Sequence, residues 1–592
     1  MATNYLKGEP LELRWRSSWC EHQARTIPSL FQSQAETLGD STLYLVKRGE
    51  GAYQPVSWQT VRRDVETLAA ALIARGIQPG DRVAILSENR YEWVVADLAI
   101  LHAGAASVTL HFPLTPEQVE EQLRDSESCA IFVSTAQQAQ KVESIRDRLP
   151  ALKHYFSFDA VSGWTPLAQL QREGEQLLRD KPTLVRETAE LNHWDSIATL
   201  IYTSGTTGDS KGVMLSHGNL LANMYACMQV FPPPGRDYVM FNFLPLSHIY
   251  AHTCDHLVAI ALGVQMAFAE SFDTLAQNLQ EVRPHAINGV PRFYEKVRER
   301  VMQVIGSKPF LRLLGGYARK KGMRRAFGGR LIWAISGGAA LDPQVAEFYW
   351  ENGIQLFQGY GLTETSPVLT GNNPKYNKIG TAGVPFPGVE IKIADDGEIL
   401  ARGPHIMKGY WRKPEATAQA ITPDGWFHTG DVGEIVDNTY LRITDRKKDI
   451  FVLAGGKNIA PVALENALIR NPYIEQTVIY GDKKKFVAAL IVPDFVQLEE
   501  WAQQQGIEYH SREELVQNPR VYAFMEQQVE DAMRPFANYE RVKRFILLPQ
   551  AFTFEAGDVT ITLKMRRARI IERYREQLDA LYEEERGIIS PR

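Results

Sequence analysis

The stretch IATLIYTSGTTGDSKG, residues 197–212, changes character in its middle. Its first half is an apolar run typical of a buried strand. Seven of the eight residues from Thr203 to Ser210 are then Gly, Ser or Thr, and Lys211 follows them. Backbone N–H groups, hydroxyls and a nearby cation are the groups that bind phosphate. The stretch therefore indicates either a phosphate-binding loop or a flexible linker.

This loop does not fit the common nucleoside-triphosphate pattern GxxxxGK[ST]. Lys211 stands between Ser210 and Gly212, so a motor or switch NTPase of that class is disfavoured. The residues that follow, SHGNLLANMYACMQ (216–229), have helical spacing with Ser216 as a candidate N-cap. A loop of this composition between a buried strand and a helix favours phosphate binding over a linker.

Length and composition exclude several classes of protein. A chain of 592 residues is expected to form two or more domains. Its net charge of −5 argues against nucleic-acid binding through global charge. The four cysteines (Cys20, Cys129, Cys227 and Cys254) form no CxxC pair, so neither a disulfide framework nor a zinc site is indicated. A reducing cytosol fits this pattern.

Three segments bear on whether the protein contacts a membrane. The N-terminus MATNYLKGEPLELRWRSS lacks the apolar core of a signal peptide. The most apolar segment, HLVAIALGVQMAFAE (256–270), is shorter than the roughly 20 residues that cross a bilayer, so we expect a buried helix or a pair of strands. The segment RLLGGYARKKGMRRAFGGR (312–330) carries seven basic residues and no acid. It fits contact with an anionic membrane surface, a solvated basic loop, or a loop that attracts the phosphates of coenzyme A. We therefore expect a cytoplasmic protein with at most peripheral membrane contact.

Strand and helix patterns alternate in the first third of the chain. DRVAILSEN (81–89), AASVTLH (105–111) and CAIFVS (129–134) read as strands, and RYEWVVADLAILHAG (90–104) reads as a helix that ends at Gly104. Alternation at this spacing predicts a parallel sheet with right-handed crossovers.

The pattern changes from about residue 380. Gly, Pro and short alternating runs there predict a small antiparallel, barrel-like subdomain. We place a domain boundary inside DRKKD (445–449), after which short strands such as QTVIYGD (476–482) and FVAALIVP (486–493) alternate with charged helices.

Further motifs follow the phosphate loop in a fixed order. They are AISGGAALD (334–342), FQGYGLTETSP (357–367), GWFHTGDVG (425–433), DRKKD and DVTITLKMRR (558–567). Each is weak alone, because small residues also serve tight packing and an Asp in a Gly turn is common turn chemistry. Together they resemble the adenylate-forming superfamily of acyl-CoA synthetases, luciferases and peptide-synthetase adenylation domains, over roughly residues 30 to 580.

Within that superfamily, the chain resembles the long-chain fatty acid–CoA ligases most. LPLSHIYAH (244–252), NGVPRFYEKV (288–297) and ALIVPDFVQLEEWAQQQGI (489–507) carry this likeness. Two positions depart from the family pattern. Ser210 stands where the loop usually has Pro, and Ile561 stands where the long-chain branch usually has Pro between two threonines.

The resemblance implies an α/β fold in two domains. A large N-terminal domain of layered sheets with helices and a small β subdomain would span residues 1–445. A smaller, mobile α+β domain would span residues 446–592. The implied activity is that of an ATP-dependent long-chain fatty acyl-CoA synthetase, which forms acyl-AMP and pyrophosphate and then acyl-CoA and AMP. An acyl-AMP ligase that serves an acyl carrier protein, and a non-catalytic fatty-acid-binding scaffold, remain alternatives. A homodimer is expected only by analogy with related synthetases.

The resemblance also implies the nucleotide and metal site. Thr203, Ser204, Gly205, Thr206, Thr207, Gly208 and Lys211 would hold the β- and γ-phosphates of ATP. Glu364 would hold Mg²⁺ with Thr203 or Ser204 as a second ligand, and Thr363 would donate to the α-phosphate. Gly338, Ala339, Tyr360 and Gly361 would line the nucleotide pocket, and Asp431 and Arg446 would hold the ribose hydroxyls.

Four further regions would carry the two reaction steps. Lys564 would neutralise the α-phosphate and the attacking carboxylate, and Lys448 would be the hinge about which the C-terminal domain rotates. Gly455 and Gly456 would leave room for the pantetheine arm of coenzyme A. His248 would lie beside the acyl carboxylate or gate the fatty-acid tunnel; the alternative is a core histidine with a satisfied hydrogen bond.

Overall fold

The computed structural model describes residues 3–47, 49, 51–204, 210–306, 315–447, 449–553, 556–559 and 565–583. These residues group into two compact units. The first comprises residues 1–393, 400–429 and 435–442, and the second comprises residues 394–399, 430–434 and 443–592. Within the described ranges, no helix combines the length and the apolar character needed to cross a bilayer.

The described strands have the following bounds. They are β1 (Tyr5–Lys7), β2 (Trp15–Arg16), β3 (Glu21–His22), β4 (Thr42–Val46), β5 (Gln54–Ser57), β6 (Arg82–Leu86), β7 (Ala106–Leu110), β8 (Ala130–Val133), β9 (His154–Ser157), β10 (Thr165–Pro166), β11 (Ile197–Ser204), β12 (Ser210–Ser216), β13 (Val239–Asn242), β14 (Gln265–Phe268), β15 (Ala286–Gly289), β16 (Trp333–Ser336), β17 (Gln355–Gly361), β18 (Val368–Gly371), β19 (Val384–Pro385), β20 (Glu390–Ile393), β21 (Glu398–Arg402), β22 (Gly409–Tyr410), β23 (Phe427–Val436), β24 (Tyr440–Arg446), β25 (Phe451–Val452), β26 (Asn458–Ile459), β27 (Ile474–Tyr480), β28 (Val487–Pro493) and β29 (Val542–Leu547).

The described α-helices have the following bounds. They are Ile27–Leu38, Trp58–Ala74, Tyr91–His102, Pro116–Ser126, Ala136–Glu143, Leu167–Asp180, Leu184–Ala189, His217–Val230, Ile249–Ala251, Val258–Leu262, Leu275–Val282, Pro291–Gly306, Gly315–Ala326, Pro343–Glu351, Pro414–Ala420, Pro461–Ile469, Phe495–Gln504, Arg512–Gln517, Pro519–Met533, Arg567–Arg573 and Arg575–Glu583. Two short 3₁₀ helices span Arg146–Arg148 and Thr363–Thr365, and a π-helix spans His252–Leu257.

The first unit contains two large sheets. One has eight strands in the order β10-β9-β8-β6-β7-β11-β12-β22, and the other has nine in the order β19-β18-β17-β16-β15-β13-β14-β4-β5. Pairing is parallel from β10 to β11 in the first sheet, which confirms the parallel sheet predicted from the alternating pattern. In the second sheet, pairing is parallel from β17 to β4.

Two helices of the first unit are buried on nearly every side. Eleven of the twelve residues of Tyr91–His102 are buried, and so are most residues of His217–Val230. A helix that is apolar all round belongs in the interior of a large domain. The helix predicted for 90–104 is therefore confirmed, and Gly104 adopts a positive φ of 77° directly after its end.

The second unit contains a three-stranded sheet in the order β27-β28-β29. β27 and β28 pair antiparallel and β29 joins β28 in parallel, so both predicted strands are present. The short strands predicted after residue 380 are also present. They contribute to a five-stranded sheet in the order β1-β20-β21-β23-β24, which includes an N-terminal strand that the sequence did not predict.

Two sequence predictions need correction. The phosphate loop does not lead directly into a helix, because β12 lies between them and pairs antiparallel with β11. The basic segment is not a loop where it is described, since Gly315–Ala326 is a helix with Ala318 and Met323 buried. The apolar segment 256–270 forms the end of the π-helix, a short helix and then β14.

Candidate functional site

The predicted motifs of the first unit lie at the carboxyl ends of parallel strands. β13 is followed by the LPLSHIY segment, β15 by VPRFYEKV, β16 by GGAA and β17 by LTETS. These strands are neighbours in one parallel run of the nine-stranded sheet. Ligands of open α/β sheets bind outside the carboxyl ends of the strands. The shared edge therefore defines the candidate site.

The phosphate loop joins two paired strands of the other sheet. Thr203 lies opposite Lys211, and Ser204 lies opposite Ser210, in the antiparallel register of β11 and β12. Gly205, Thr206, Thr207 and Gly208 lie outside the described residues. The Ser210 N–H donates to Glu121 Oε1 at 2.9 Å, and Lys413 Nζ donates to the Ser210 carbonyl at 3.1 Å. Hydrogen bonds to both the N–H and the carbonyl of Ser210 therefore fix the end of the loop next to Lys211.

Tyr410 links the predicted phosphate lysine to the predicted metal ligand. Its ring centroid lies 5.0 Å from Lys211 Nζ, and its hydroxyl donates to Glu364 Oε1 at 3.0 Å. Strand pairing sets this position, because Val213 of β12 lies opposite Tyr410 of β22. Burial, and next the charge of Glu364, raise the pKa of Tyr410 well above its ordinary value. The hydroxyl therefore remains a donor throughout the physiological pH range.

The segment that carries Glu364 is tightly fixed. The Met407 N–H donates to the Glu364 carbonyl at 2.9 Å, and Asn223 Nδ2 donates to the Val368 carbonyl at 2.8 Å. A Cβ atom at Gly361 would lie 1.8 Å from the Pro367 carbonyl oxygen, so only glycine fits there. Thr363 is buried in the 3₁₀ turn beside Glu364. Tyr360 is half-buried near the end of β17.

Gly338 and Ala339 follow the end of β16. Gly338 has a φ of 82°, a backbone conformation that favours glycine. At the preceding Gly337, a Cβ atom would lie 3.0 Å from the Tyr250 ring. Ala339 is exposed. The small residues therefore shape a tight turn next to Tyr250, which agrees with either close packing or a ligand surface.

His248 lies where the edges of the two large sheets meet. Its ring stacks on His111, which follows β7, with centroids 6.3 Å apart and an interplanar angle of 17°. His111 Nδ1 lies 2.7 Å from Ser247 Oγ. His248 Nδ1 accepts from the Tyr250 N–H at 3.2 Å and caps the short helix that follows. The histidine is half-buried, so it is oriented by neighbours and still partly accessible.

Asn89, which follows β6, holds the loop that leads to His248. Its side chain donates to the Leu244 carbonyl at 2.6 Å and accepts from the Leu246 N–H at 2.8 Å. Because both bonds are to backbone atoms of the LPLSHIY segment, they fix the path of the loop rather than one side chain.

The two predicted ribose ligands form an ion pair in the second unit. Arg446 Nε lies 3.0 Å from Asp431 Oδ1, and the Asp431 side chain is 6% exposed whereas that of Arg446 is 41% exposed. Lys447 beside them bridges Asp396 at 2.6 Å and Glu398 at 3.0 Å. The two residues predicted to hold the ribose hydroxyls therefore contact each other directly.

Asp445, the first residue of the DRKKD motif, is 4% exposed. Its Oδ1 accepts from the Arg446 N–H at 2.6 Å, while Oδ2 has no hydrogen-bond partner. Burial raises the pKa of this carboxyl to about 6, and the charges of Asp449 and Glu465 act in the same direction. Arg567 opposes them by favouring the ionised form.

The remaining predicted residues belong to the second unit. Gly455 and Gly456 form an exposed turn between β25 and β26, and a Cβ atom at either would meet nothing within 4 Å. Lys448 and Lys564 lie outside the described residues. Three residues after Lys564, Arg567 Nη1 lies 3.2 Å from Asp449 Oδ2 of the DRKKD motif. An ion pair therefore joins the DRKKD motif to a residue more than one hundred positions later in the same unit.

Sequence reasoning missed Tyr410, His111 and Asn89. Tyr410 stands in the segment MKGYW (407–411), which was read only as Gly-rich short strands. His111 and Asn89 are the last residues of two predicted strands, AASVTLH (105–111) and DRVAILSEN (81–89). Polar residues at the ends of parallel strands are a usable signal for a site, and this signal would have drawn attention to both.

Glu364 fits a magnesium ion that arrives with a nucleotide. It offers a hard carboxylate oxygen that accepts a hydrogen bond from the Tyr410 hydroxyl. Mg²⁺ usually takes one or two carboxylates together with phosphate oxygens and waters, not a cage of protein ligands.

Comparison with known proteins identifies two matching family models. The model described as AMP-binding enzyme matches residues 31–411, and the model described as AMP-binding enzyme C-terminal domain matches residues 448–586. The chain is 35% identical to the long-chain-fatty-acid–CoA ligase FadD15 of Mycobacterium bovis, over 90% of this chain and 94% of that protein. It is 28% identical to long-chain-fatty-acid–CoA ligase 6 of Mus musculus, over 94% of this chain and 87% of that protein.

Solved structures share the fold. The adenylation domain of a carboxylate reductase from Mycobacterium chelonae superposes with a TM-score of 0.75 at 24% identity, covering 95% of this chain and 92% of that one. The anthranilate CoA ligase AuaEII, solved with anthranoyl-AMP, superposes with a TM-score of 0.74 at 20% identity, covering 96% and 99%. The α/β fold predicted from the sequence motifs, with a large N-terminal and a smaller C-terminal domain, is thereby confirmed.

Proposed function

The chain belongs to the AMP-binding enzyme family, and from that membership we propose that it is an ATP-dependent long-chain fatty acid–CoA ligase. It would join a fatty carboxylate to AMP with release of pyrophosphate, and then transfer the acyl group to the thiol of coenzyme A. Relatives named long-chain-fatty-acid–CoA ligases that are 28–35% identical over most of the chain support this substrate class.

One observation supports the chemistry most directly. Lys211, Tyr410 and Glu364 form a row in which the Tyr410 ring contacts the Lys211 ammonium and the Tyr410 hydroxyl donates to the Glu364 carboxylate. Triphosphate and fatty carboxylate are both anionic, so the barrier to their reaction is largely electrostatic. Catalysis then consists mainly of positioning and charge neutralisation, which this row of groups supplies.

In the first step, a carboxylate oxygen of the fatty acid attacks the α-phosphorus of ATP. The bond between the α-phosphorus and the bridging oxygen breaks, and pyrophosphate leaves. Lys211 and the hydroxyls of the loop would bind the departing phosphates, and Thr363 would donate to the α-phosphate. Magnesium held by Glu364 would supply positive charge to the phosphate oxygens. Asp431 and Arg446 would bind the ribose.

In the second step, the coenzyme A thiolate attacks the acyl carbon and AMP leaves. We propose domain limits of 1–445 and 446–592, with Lys448 as the hinge of a rotation that exchanges Lys564 for the Gly455–Gly456 turn at the reacting centre. Two ion pairs of the DRKKD motif support a role for this segment: Asp449 pairs with Arg567, and Lys447 pairs with Glu398. No protein nucleophile is required, because the acyl group moves between two bound substrates.

His248 is proposed to lie beside the acyl carboxylate. Its stacking on His111 and its bond from the Tyr250 N–H fix the ring at the junction of the two sheets. The same ring could gate the entrance of the acyl chain. A variant His248→Phe would separate these roles, because it retains the ring volume and removes the polar nitrogens.

The first alternative acceptor is an acyl carrier protein in place of coenzyme A. One solved relative in fold is a carboxylic acid reductase adenylation domain joined to its carrier domain, from Segniliparus rugosus. At 20% identity this likeness concerns the fold alone. The second alternative, a non-catalytic scaffold, is disfavoured because Lys211, Glu364, Asp431 and Arg446 are all present.

ATP–pyrophosphate exchange with a panel of carboxylic acids tests the proposal. Acids from acetate to oleate, with aromatic acids included, should show exchange that depends on a long alkyl chain. Free coenzyme A and an acyl carrier protein are then compared as acceptors for the acyl-adenylate. Absence of exchange with every acid would favour the scaffold, and transfer to the carrier protein alone would favour the acyl-AMP ligase.

We also propose that the basic helix Gly315–Ala326 contacts an anionic membrane surface. Lys320, Lys321, Arg324 and Arg325 are exposed, and Tyr317 is 67% exposed near its start. Cosedimentation with vesicles of neutral and anionic phospholipids tests this contact. Reversing the four charges should abolish binding to anionic vesicles, whereas reversing exposed Lys153 and Arg172 should not.

A homodimer stays a prediction, which light scattering of the purified chain would test.

A further inference from the structure

A buried cluster of three metal-binding side chains lies outside the proposed catalytic residues. Asp97 belongs to the helix Tyr91–His102, and His252 and His256 belong to the π-helix His252–Leu257. One ligand atom from each residue lies within 4.8 Å of the others. All three residues are at most 1% exposed. The described residues contain no other cluster of this kind.

The distances within the cluster match a metal site. His252 Nε2 lies 3.0 Å from Asp97 Oδ2, and His256 Nε2 lies 3.6 Å from the same oxygen. Two ligands of a tetrahedral zinc ion, each about 2.0–2.1 Å from the metal, are separated by about 3.3–3.4 Å. The two measured distances bracket this value. The longer one exceeds the range of a hydrogen bond.

Unpartnered polar atoms point to a missing ligand. Asp97 Oδ1, His252 Nδ1 and His256 Nε2 are buried and have no hydrogen-bond partner. Buried polar atoms are satisfied in the great majority of cases, so three in one cluster require an explanation. A metal ion would bind His256 Nε2 directly and would neutralise the buried carboxylate of Asp97, whereas His252 Nδ1, on the side of its ring away from Asp97, would not be a ligand.

Neighbouring groups hold the imidazole rings in a ligating orientation. Tyr44 Oη lies 3.2 Å from His256 Nδ1, which directs Nε2 towards Asp97. Such a bond to the second ring nitrogen is typical of metal-bound histidines. Trp93 packs edge-on against both imidazoles, at interplanar angles of 89° and 88°. Both rings are therefore fixed by partners outside the cluster.

We propose that Asp97, His252 and His256 bind one divalent transition-metal ion, with zinc as the best fit. Two imidazole nitrogens and one carboxylate oxygen suit zinc and do not suit magnesium. A water molecule would complete a four-coordinate site. Because the ligands come from two elements, the ion would tie the helix Tyr91–His102 to the π-helix that follows the His248 segment. The site is separate from the magnesium that accompanies ATP.

Metal analysis of the full chain, without an affinity tag, tests this proposal. Protein expressed with added zinc and washed with a chelator should retain about one zinc ion per chain. His252→Gln and His256→Gln should each lower the content at least about tenfold. The matched control is His102→Gln, since His102 is equally buried on the same helix as Asp97 but bonds to the Leu98 carbonyl. This control should retain its zinc.

X-ray absorption at the zinc edge of the wild-type protein decides the matter even if a histidine variant fails to fold. The expected spectrum shows nitrogen and oxygen ligands at about 2.0–2.1 Å with scattering from imidazole rings. A wild-type protein that neither contains zinc nor takes up zinc or cobalt would overturn the proposal and leave a water-filled hydrogen-bond network. Equal zinc in the wild type and in His256→Gln, or sulfur ligation, would overturn it as well.

Discussion

Tyr410 Oη lies 3.0 Å from Glu364 Oε1, although Tyr410 belongs to β22 of the eight-stranded sheet and Glu364 lies 46 positions earlier in a 3₁₀ helix. The tyrosine reaches this position because β22 pairs with β12, the strand that also carries Lys211. A single side chain thereby sets the distance between the proposed phosphate cation and the proposed metal ligand. Three of the predictions that follow concern the reaction steps that this arrangement would serve.

Tyr410→Phe should raise the magnesium concentration needed for half-maximal adenylation and slow the reaction roughly tenfold. The ring beneath Lys211 remains, but the hydrogen bond to a charged carboxylate, worth about 1.5–3 kcal/mol, is lost. Pyrophosphate exchange over a magnesium titration measures both effects. Tyr53→Phe is the control, because it removes a tyrosine bond to the Phe268 carbonyl in the same unit. Identical behaviour of the two variants would contradict the assigned role.

Glu364→Gln should raise the magnesium concentration needed for half-maximal adenylation more than Tyr410→Phe does, and should slow adenylation, because the amide lacks the negative charge that a hard cation requires. If Tyr410 acts through Glu364, adding Tyr410→Phe to this variant should change little further. Circular dichroism checks that the fold is intact. Unchanged kinetics across the magnesium titration would show that another residue holds the ion.

Acids of about C12 to C18 should give the highest kcat/KM. Each methylene that is buried contributes roughly 0.8 kcal/mol of transfer free energy, so affinity should increase with length until the tunnel is filled. Steady-state kinetics of acyl-CoA formation along a homologous series measures this. An optimum at acetate or benzoate would contradict the proposed substrate class.

Lys564→Ala and Lys448→Pro should affect opposite steps. Loss of one preorganised charge contact should slow adenylation about 10²- to 10⁴-fold in Lys564→Ala, with little effect on thioester formation. Proline at 448 would fix φ at the proposed hinge, so the adenylate would form but its transfer to coenzyme A would slow. Single-turnover kinetics with preformed acyl-adenylate separates the steps. The rotation proposal fails if Lys564→Ala impairs both steps equally.

Asp445→Asn should stabilise the protein at neutral pH and have little effect at pH 4. Burial raises the pKa of Asp445 to about 6 in the folded state, whereas the unfolded value is about 3.8. The folded chain therefore binds more protons between about pH 4 and 6, and stability falls as pH rises through this window. About two pKa units correspond to about 3 kcal/mol. Thermal unfolding of both proteins at several pH values measures the difference, and equal shifts at pH 4 and 7.5 would contradict it.

Local patterns predicted much of the fold. The strand IATLIYTS and the helix after Arg90 have the predicted limits within one or two residues. This is because apolar periodicity and a glycine at the end of an element are local signals. The hairpin of β11 and β12 was misread. The sequence pattern placed the residues after Lys211 in a loop that leads to a helix. In the structure, the segment VMLS (213–216) belongs to a strand that pairs with β11 on one side and with β22 on the other. Pairing on both sides is tertiary information.

Contacts between distant residues limited prediction of the site. The resemblance assigned both Asp431 and Arg446 to the ribose, but the ion pair between them was not predicted. Tyr410 could not be linked to Lys211, because about two hundred residues separate them. The same holds for Asp97 and the π-helical histidines. His252 and His256 are visible as an i, i+4 pair, but their carboxylate partner lies 155 residues earlier.

Strand β12 is hydrogen-bonded along both edges, and this has a consequence for how the protein can change. Side chains alternate between the two faces of a sheet, so an insertion or deletion of one residue within Ser210–Ser216 would reverse the face of every residue before or after it. Lys211 would then leave the Tyr410 ring, or the pairing with β22 would shift by one position. Substitutions are compatible with this strand, whereas changes in its length are not. Engineering of nucleotide preference, and natural divergence among relatives, should therefore alter residues here without altering their number.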